Sequence, residues 1–409
     1  MKTFFVGIVM FAFLAVGSAQ SEERRVNRLT LEQAIEMAEQ KNPQIREAEA
    51  NVIAAGGRVK QSGAFINPEI IVGAEALPVD GNGKGEYLAG FSQEIPISGS
   101  HSKAREVATL DRARIENELA LTRNNIRKKV QSAFATALYQ SRANETLSQI
   151  SKSAEKSVAI TKARVEAGDA LGSDLARVEI ESMQMQAEFK RAKSLSEQSL
   201  AALATVVGEP TLRIESLKGS LETAFEIPAI ESLAQNLANH PATASAEKEI
   251  QVQRARLELA KAERIPNINA ELLYRRNQDE KRDGIDIGIS FPLPLFDQKK
   301  GRIEEAKSEI DAAEFRSRSR KNELALSLRE SHAQLTTALE NARLFNTEIL
   351  PRAEKVLQAT ETRYRNGDLA LAEVLPIRRE WAASQLAYLE SYRDVLLAWA
   401  NLSIFHGNN

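Results

Sequence analysis

The sequence predicts a mainly α-helical protein that carries a membrane β-barrel and is built from two internal repeats. Three observations predict this fold class. Two very long segments carry a helical pattern of apolar residues, and pairs of short segments alternate apolar with polar residues. Both features recur at an offset of about 198 residues along the 409-residue chain.

The composition of the chain favours long helices and excludes some classes of function. Aromatic residues make up only 5% of the sequence, and the 54 Lys and Arg residues nearly balance the 56 Asp and Glu residues. A nucleic-acid-binding protein would carry a basic excess, so no nucleic-acid partner is expected. The absence of Cys excludes disulfides, thiolate metal ligands and N-terminal lipidation.

Residues 1–19 have the layout of a secretory signal peptide. Lys2 precedes an apolar run from Phe4 to Val16, and small residues follow as far as Ala19. An N-terminal membrane anchor is the alternative, but about 13 apolar residues fall short of the roughly 20 that a spanning helix needs. The sequence therefore predicts an exported protein whose signal peptide is cleaved.

The two repeats are recognised from matching motifs. The Asn-Pro at 42–43 corresponds to the His-Pro at 240–241, at an offset of 198. Further along, "RVEAGDALGSDL" from Arg164 corresponds to "RYRNGDLALAEV" from Arg363, at an offset of 199. A nearly constant offset over most of the chain predicts two homologous halves, at 20–208 and 231–409, joined by a connector at 209–230.

Each repeat is predicted to contain a helix, two strands, a long helix, a glycine break and a further helix, in that order. In the first repeat the strands are expected at about 68–76 and 87–95, the long helix at about 100–166 and the last helix at about 172–205. In the second repeat the same elements are expected at about 267–276, 284–292, 299–366 and 370–405.

The long helices are the dominant feature of both repeats. No Pro or Gly occurs from Lys103 to Glu166, a stretch that would extend roughly 95 Å as a helix. In the second repeat an apolar seam with alternating spacings of three and four predicts packing against other helices. Pro351 should bend this helix locally. The seam comprises Leu328, Ser331, Leu335, Ala338, Ala342, Phe345, Ile349, Ala353 and Val356.

Two interpretations of the strands remain open: a small periplasmic β-domain with one wet face, or membrane-spanning hairpins. The alternating apolar positions, such as Ile285, Ile287 and Ile289, carry no charge, and the connecting loops are polar. Strands of about 8 to 10 residues suit a tilted membrane span, which favours the membrane interpretation. Four strands cannot close a barrel, and an open edge is not tolerated in lipid, so several copies would have to share one barrel.

The chain resembles the TolC-like outer-membrane efflux factor family over essentially all of the predicted mature sequence. The resemblance rests on the order of the elements, the duplication and the motifs "NPQIREAEANVIAAGGRVKQSGAFINPEI", "FSQEIPISG" and "TRYRNGDLALAEVL". Within that family it is most similar to the CzcC-like heavy-metal branch, judged by "GAFINPEI", "SQEIPISG" and "ILPRAEKVLQATETRYRNGDLALAEVL".

The resemblance implies a homotrimer with a shared 12-stranded β-barrel in the outer-membrane lipid, continued by an α-helical barrel in the periplasm. The connector would lie in the equatorial region of that helical barrel. The implied function is the outer-membrane channel of a tripartite efflux system of the resistance-nodulation-division type, with a periplasmic adaptor and an inner-membrane pump as partners. Heavy-metal cations are the expected substrate class, with drug efflux or type I secretion as alternatives. No catalysis and no cofactor are implied.

The resemblance also places a periplasmic gate just after the glycine breaks at Gly168 and Gly367. It implies that Tyr364 and Asp174, the latter preceded by Ser173, hold the closed tip by a hydrogen bond. Glu373 would form a ring of three acids around the channel axis, which would attract cations.

The sequence departs from the family at the gate in two places. Leu369 stands where the family has an arginine, and Pro376 stands where it has a second acidic residue. A weaker latch and weaker cation selectivity are therefore expected. Asp174 and Glu373 have a simpler interpretation as first-turn acids that stabilise the helix dipole, and the two interpretations are compatible.

No other residues indicate a metal or catalytic site. The four histidines are scattered, and Met183 and Met185 do not share a helix face. A structural periplasmic coiled-coil protein remains an alternative, although it would leave the duplicated strands unexplained. An enzyme or a solute-binding protein is a more distant alternative. The histidines are His101, His240, His332 and His406.

Overall fold

The computed structural model describes residues 25–77, 79, 85–222 and 226–406. The predicted signal peptide at 1–19 lies outside the described residues, as does most of the glycine-rich loop between the first two predicted strands. Within the described ranges, every helix is too short or too polar to be a candidate membrane span.

The elements of the first repeat begin with two short strands. In chain order they are β1 (Arg25–Val26), β2 (Leu29–Thr30), α1 (Leu31–Lys41), α2 (Pro43–Ser62), β3 (Glu69–Glu75), β4 (Glu86–Ile95), α3 (Ser100–Glu166) and α4 (Gly172–Val207). Two further short strands, β5 (Arg213–Ile214) and β6 (Leu217–Lys218), lie in the connector.

The second repeat follows the same order. Its elements are α5 (Ile230–Asn236), a 3₁₀ turn (Leu237–Asn239), α6 (Pro241–Ala262), β7 (Ile268–Asn277), β8 (Arg282–Ser290), α7 (Lys300–Leu344), a π-turn (Phe345–Ile349), α8 (Leu350–Arg365) and α9 (Leu371–Ser403). Helix α3 alone has 67 residues, which corresponds to a length of about 100 Å.

Corresponding helices of the two repeats start in the same way. Asn42 caps α2 by accepting a hydrogen bond from the Gln44 N–H, and a proline occupies the first helical position. His240 caps α6 through Nδ1, which accepts from the Ala242 N–H, and is again followed by proline. Proline suits this position because the first N–H groups of a helix have no intrahelical acceptor.

The long helix of the second repeat is interrupted just before Pro351. The Leu350 N–H donates to the Phe345 carbonyl, five residues back, which closes the π-turn. Pro351 has no N–H and cannot donate to the Thr347 carbonyl, so the α-helical ladder cannot continue unchanged. The helix therefore contains a π-turn before Pro351, and the local bend stays a prediction.

The apolar seam is followed only in part beyond the π-turn. Ala353 is half-buried as predicted, whereas Val356 is 49% exposed and its neighbour Leu357 is half-buried. Within the single chain, Val356 is therefore not a packed seam position.

The two strand pairs form one antiparallel sheet in the order β3-β4-β7-β8. The central pairing, between β4 and β7, joins the two repeats from Glu86 opposite Asn277 to Ile95 opposite Ile268. Gly90 lies opposite Leu273, and a Cβ atom at Gly90 would lie 2.1 Å from the Leu272 carbonyl oxygen. The close approach of the two repeats therefore requires glycine at this position.

The sheet has one apolar and one polar face. The apolar face is largely uncovered: Ile70 is 84% exposed and Ile287 is 78% exposed. On the opposite face, Arg275 forms ion pairs with Asp286 at 2.7 Å and with Glu75 at 3.2 Å, and also with Glu86. In the part of the chain that the structure describes, neither β3 nor β8 has a partner on its outer edge.

The N-terminal strands attach the start of the chain to the connector, a pairing that was not predicted. Strand β1 pairs in parallel with β5, and β2 pairs in parallel with β6. Lys41 at the end of α1 forms an ion pair with Glu209. The connector is therefore held beside the largest core cluster, which includes Phe134, Leu138, Leu203 and Val207.

Candidate functional site

The candidate site lies at the distal tip, which we define as the two helix breaks 167–171 and 366–370. Because α3 leads away from the sheet for about 100 Å, this tip lies at the opposite end of the molecule from the strands. Each break joins a long helix to the helix that runs back towards the sheet.

Both breaks use the same backbone motif. Gly168 and Gly367 have φ values of 82° and 85°, in the left-handed region. The Gly168 N–H donates to the Val165 carbonyl, and the next N–H, of Asp169, donates to the Arg164 carbonyl. The second break has the equivalent pair of bonds. This is a Schellman motif, in which two terminal carbonyls of the helix are satisfied and glycine is favoured at the left-handed position.

The predicted acidic residues occupy equivalent places in the following helices. Asp174 is the third residue of α4, and Glu373 is the third residue of α9. Neither helix has a side-chain cap at its N-terminus, so a carboxylate in the first turn interacts favourably with the helix dipole. Asp174 is half-buried, whereas Glu373 and Ser173 are exposed.

Tyr364 contacts an arginine that was not predicted. Arg164 Nη1 donates to the Tyr364 hydroxyl at 3.3 Å, and the Arg164 Cζ atom lies 5.6 Å from the centre of the Tyr364 ring. In this chain, among the described residues, Tyr364 and Asp174 form no direct hydrogen bond. The structure brings the two repeats together at the tip through Tyr364 and Arg164.

An apolar cluster lies beside this contact. Val178 of α4 and Leu371 and Leu375 of α9 are buried against one another. Partly buried side chains pack around them, including the ring of Tyr364. Residues of both repeats contribute, so burial of this cluster also holds the two helix pairs together at the tip.

A second polar link between the helix pairs lies closer to the sheet. Arg378 of α9 donates from Nε to Glu361 of α8 at 3.1 Å and from Nη1 to the Ser157 hydroxyl of α3 at 3.0 Å. One guanidinium therefore connects three helices. Its planar set of donors suits this role because it can bond in two directions at once.

Sequence reasoning missed Arg164, Glu361 and Arg378. A signal for Arg164 was present, since "RVEAGD" and "RYRNGD" place Arg164 and Arg363 at equivalent positions in the last turn of a helix. Basic residues are favoured there by the helix dipole. Arg378 had no local signal, because its two partners lie 17 and 221 residues away.

Across the described residues, no group of three or more His, Asp or Glu side chains is arranged to hold a metal ion. Two of the histidines contact aromatic rings at separate places in the chain. His101 stacks against Phe65, and His406 packs against Trp399. The candidate site is thus made of hydrogen bonds, ion pairs and apolar contacts.

Comparison of the sequence with known proteins gives a family match over most of the chain. The model of the family described as "Outer membrane efflux protein" matches residues 34–209 and 233–408. The chain is 24% identical to the "Cobalt-zinc-cadmium resistance protein CzcC" of Cupriavidus metallidurans, over 88% of this chain and 86% of that protein. It is 25% identical to the "Nickel-cobalt-cadmium resistance protein NccC" of Alcaligenes xylosoxydans, over 76% of this chain and 70% of that protein.

Solved structures of similar fold are also known. The Campylobacter jejuni CmeC outer membrane channel aligns with a TM-score of 0.80 and 15% identity, over 92% of this chain and 85% of that chain. The open state of the Neisseria gonorrhoeae MtrE outer membrane channel aligns with a TM-score of 0.76 and 16% identity, over 92% of this chain and 88% of that chain. These similarities show that the fold is that of the TolC-like channels.

Proposed function

The chain belongs to the outer membrane efflux protein family, and from that membership we propose that it forms the outer-membrane channel of a tripartite efflux system. The proposal rests on the properties of the four-stranded sheet β3-β4-β7-β8. One face is apolar and exposed, the other is polar and charged, and both outer edges lack a partner within the described chain. These are the properties of a barrel segment with lipid on one side and water on the other.

Closure of the barrel supports a homotrimer. Four strands cannot close by themselves, and unpaired edges are unstable in lipid, so β8 of one copy is proposed to pair with β3 of the next. Three copies would give the twelve strands that the family resemblance implies. The long helices α3 and α7, with the helices that follow them, would continue the wall into the periplasm.

The tip distant from the sheet is proposed as the periplasmic gate. It contains Gly168 and Gly367, the two breaks at which each long helix reverses direction. Tyr364, Asp174 and Ser173 would control its closure. Glu373 is exposed on the first turn of α9, and three copies around the channel axis would attract cations.

Heavy-metal cations are the proposed cargo. Two relatives are described as cobalt-zinc-cadmium and nickel-cobalt-cadmium resistance proteins, and they align with most of this chain. A periplasmic adaptor and an inner-membrane pump are the proposed partners. Selection of the metal would occur mainly in the pump, so the channel itself needs no metal-binding site.

The proposal is tested by purifying the protein in detergent and measuring its assembly and conductance. We expect a trimer that migrates differently on gels before and after heating, and stepwise ion currents in planar lipid bilayers. A monomer that remains soluble without detergent and gives no currents would contradict the channel function. Deletion of the gene followed by growth on cobalt, zinc or cadmium, or on organic drugs, would separate the proposed cargo from the alternative.

A further inference from the structure

A cavity of about 360 Å³ lies between the two helix pairs, on the sheet side of the tip. Its walls come from α3 and α4 of the first repeat and from α8 and α9 of the second. Cavities that bind small organic molecules usually have volumes of about 300 to 1,000 Å³, so this one can hold a small ligand.

A buried carboxylate faces this cavity. Only 8% of the Glu181 side chain is exposed, and it forms no hydrogen bond with any described residue. Its nearest cation is Arg379, whose Nε atom lies 3.9 Å away. Burial raises the pKa of the Glu181 carboxyl, and the neighbouring Arg379 and Arg378 oppose this only in part. A buried carboxylate without hydrogen bonds is costly unless something else satisfies it.

An unsatisfied donor lies in the wall of the same cavity. Trp381 Nε1 is buried and has no acceptor among the described residues. Apolar side chains, including Val178, Met185 and Leu357, share the remaining wall with Thr, Ser and Gln side chains. The cavity therefore combines an acceptor, a donor and an apolar surface, which is the usual composition of a small-molecule site.

Arg378 and Arg379 also line the cavity, but they leave the carboxylate available. Arg378 is bonded to Glu361 and Ser157, so its charge is compensated within the protein. The Arg379 side chain is 54% exposed, and its contact with Glu181 is long. Because Arg379 Nε lies 3.9 Å from the carboxylate, beyond hydrogen-bond distance, the hydrogen-bonding positions of Glu181 stay open to a ligand.

We propose that this cavity binds a small amphipathic amine. The ammonium group would donate to the Glu181 carboxylate, and the apolar body would pack against Val178, Met185 and Leu357. An acceptor atom on the ligand, or a water molecule, would satisfy Trp381 Nε1. Because the walls belong to both repeats, the bound amine would connect the two helix pairs.

The indole of Trp381 provides the readout. The chain has only two tryptophans, so Trp399→Phe leaves Trp381 as the sole indole fluorophore. The protein purified in detergent is titrated with 4-phenylbutylamine, and 4-phenyl-1-butanol serves as an uncharged probe of the same shape. We expect a saturable fluorescence change with the amine, and binding of the alcohol weaker by about tenfold or more.

Two substitutions on the same helix distinguish specific binding from partition into micelles. Glu181→Gln should weaken binding of the amine by about tenfold or more, whereas Glu188→Gln, at an exposed position of α4, should leave it unchanged. Circular dichroism would verify that both variants are folded. If Trp399→Phe does not fold, Glu181→Gln and Glu188→Gln are instead compared by titration calorimetry in a protein that keeps both tryptophans.

Equal binding of the amine and the alcohol, or equal binding by Glu181→Gln and wild type, would overturn the proposal. The absence of saturable binding would do the same. These measurements do not depend on ion currents. The amine-binding proposal can therefore be contradicted while the channel function is supported, and the channel function can be contradicted while amine binding is supported.

Discussion

The guanidinium of Arg164 covers the ring of Tyr364, with Cζ 5.6 Å from the ring centre and Nη1 3.3 Å from the hydroxyl oxygen. The two residues lie in the last turns of α3 and α8, so the contact joins the two repeats at the tip. The hydroxyl acts as an acceptor here, which leaves its own proton free to be donated. A bond from Tyr364 to Asp174 therefore stays compatible with the Arg164 contact and remains a prediction.

Removing Arg164 should loosen the proposed gate. Arg164→Ala abolishes both the hydrogen bond and the cation–π contact, which together are worth about 1 to 2 kcal/mol. Tyr364→Phe keeps the ring beside the guanidinium but removes the bond from Arg164 and the proposed bond to Asp174. In planar bilayers we expect a higher open probability for both variants.

Lys162→Ala is the matched control, because Lys162 lies half a turn earlier on α3 and is exposed. It should leave the open probability unchanged. If Arg164→Ala and Lys162→Ala behave alike, the Arg164–Tyr364 contact does not hold the gate.

The long helices could be predicted because their evidence is local. Helix α3 has no Pro or Gly between Lys103 and Glu166, and its apolar residues recur at helical spacing. The π-turn and the exposure of Val356 could not be predicted in the same way. Pro351 signals a disturbance but does not specify whether the helix bends or inserts a π-turn.

The stability of the helix break at Gly168 should depend only on the backbone conformation of this residue. A Cβ atom added there would meet no atom within 4 Å, but φ is 82°. Gly168→Ala should therefore cost about 1 kcal/mol of local stability through strain in the left-handed region. We expect hydrogen exchange of the amides at the break to rise about fivefold.

Gly172→Ala is the control for this substitution. Gly172 also has open space around its Cβ position, but it lies in the first turn of α4 with a helical backbone. Alanine should be neutral or slightly stabilising there. Equal exchange rates in the Gly168→Ala variant and the wild type would contradict the strain argument.

The pairing of β4 with β7, which joins the two repeats in the sheet, should depend on Gly90. Gly90→Ala would place a Cβ atom 2.1 Å from the Leu272 carbonyl oxygen and 2.7 Å from the Leu273 Cα atom. Backbone atoms cannot move aside as a flexible side chain can, so the β4–β7 pairing should be lost. We expect this variant to lack the trimer that is stable on unheated gels.

Gly73→Ala is the matched control in the neighbouring strand, β3. Its Cβ atom would meet only the Leu88 Cδ1 atom, at 4.0 Å, which is an ordinary van der Waals distance. This variant should assemble as the wild type does. Normal assembly of Gly90→Ala would show that the strands can separate at this point without losing the barrel.

The polar contacts at the tip could be predicted only in part. Asp174 and Glu373 belong to a duplicated motif, and their positions in the first turn of a helix follow from the distance to the preceding glycine. The bonds from Arg378 to Glu361 and Ser157 depend on how three helices pack together. Helix packing is set by the whole surface of each helix, so a single side-chain contact leaves no pattern in the sequence.

The cap of α6 should make stability depend on pH. His240 is buried, and Nδ1 accepts from the Ala242 N–H at 3.2 Å, which requires the neutral ring. Burial, and to a lesser extent Arg320, lower the pKa of His240 below its ordinary value. At acid pH the unfolded chain then binds more protons at this residue than the folded chain does. Neutral His240 therefore makes its full contribution to the free energy of unfolding above the ordinary pKa, near 6.5. That contribution is lost as the pH falls through the pKa of His240 in the folded chain.

Substitution of His240 by asparagine should remove this dependence, because Asn42 caps the equivalent helix of the first repeat without a titratable group. Between pH 7.5 and pH 5.0 we expect a smaller loss in the midpoint of thermal unfolding for His240→Asn than for wild type. His240→Ala also lacks the titratable ring, but it should be less stable than His240→Asn by about 1 kcal/mol at both pH values because the cap is missing. An equal pH response of wild type and both variants would show that the acid sensitivity originates elsewhere.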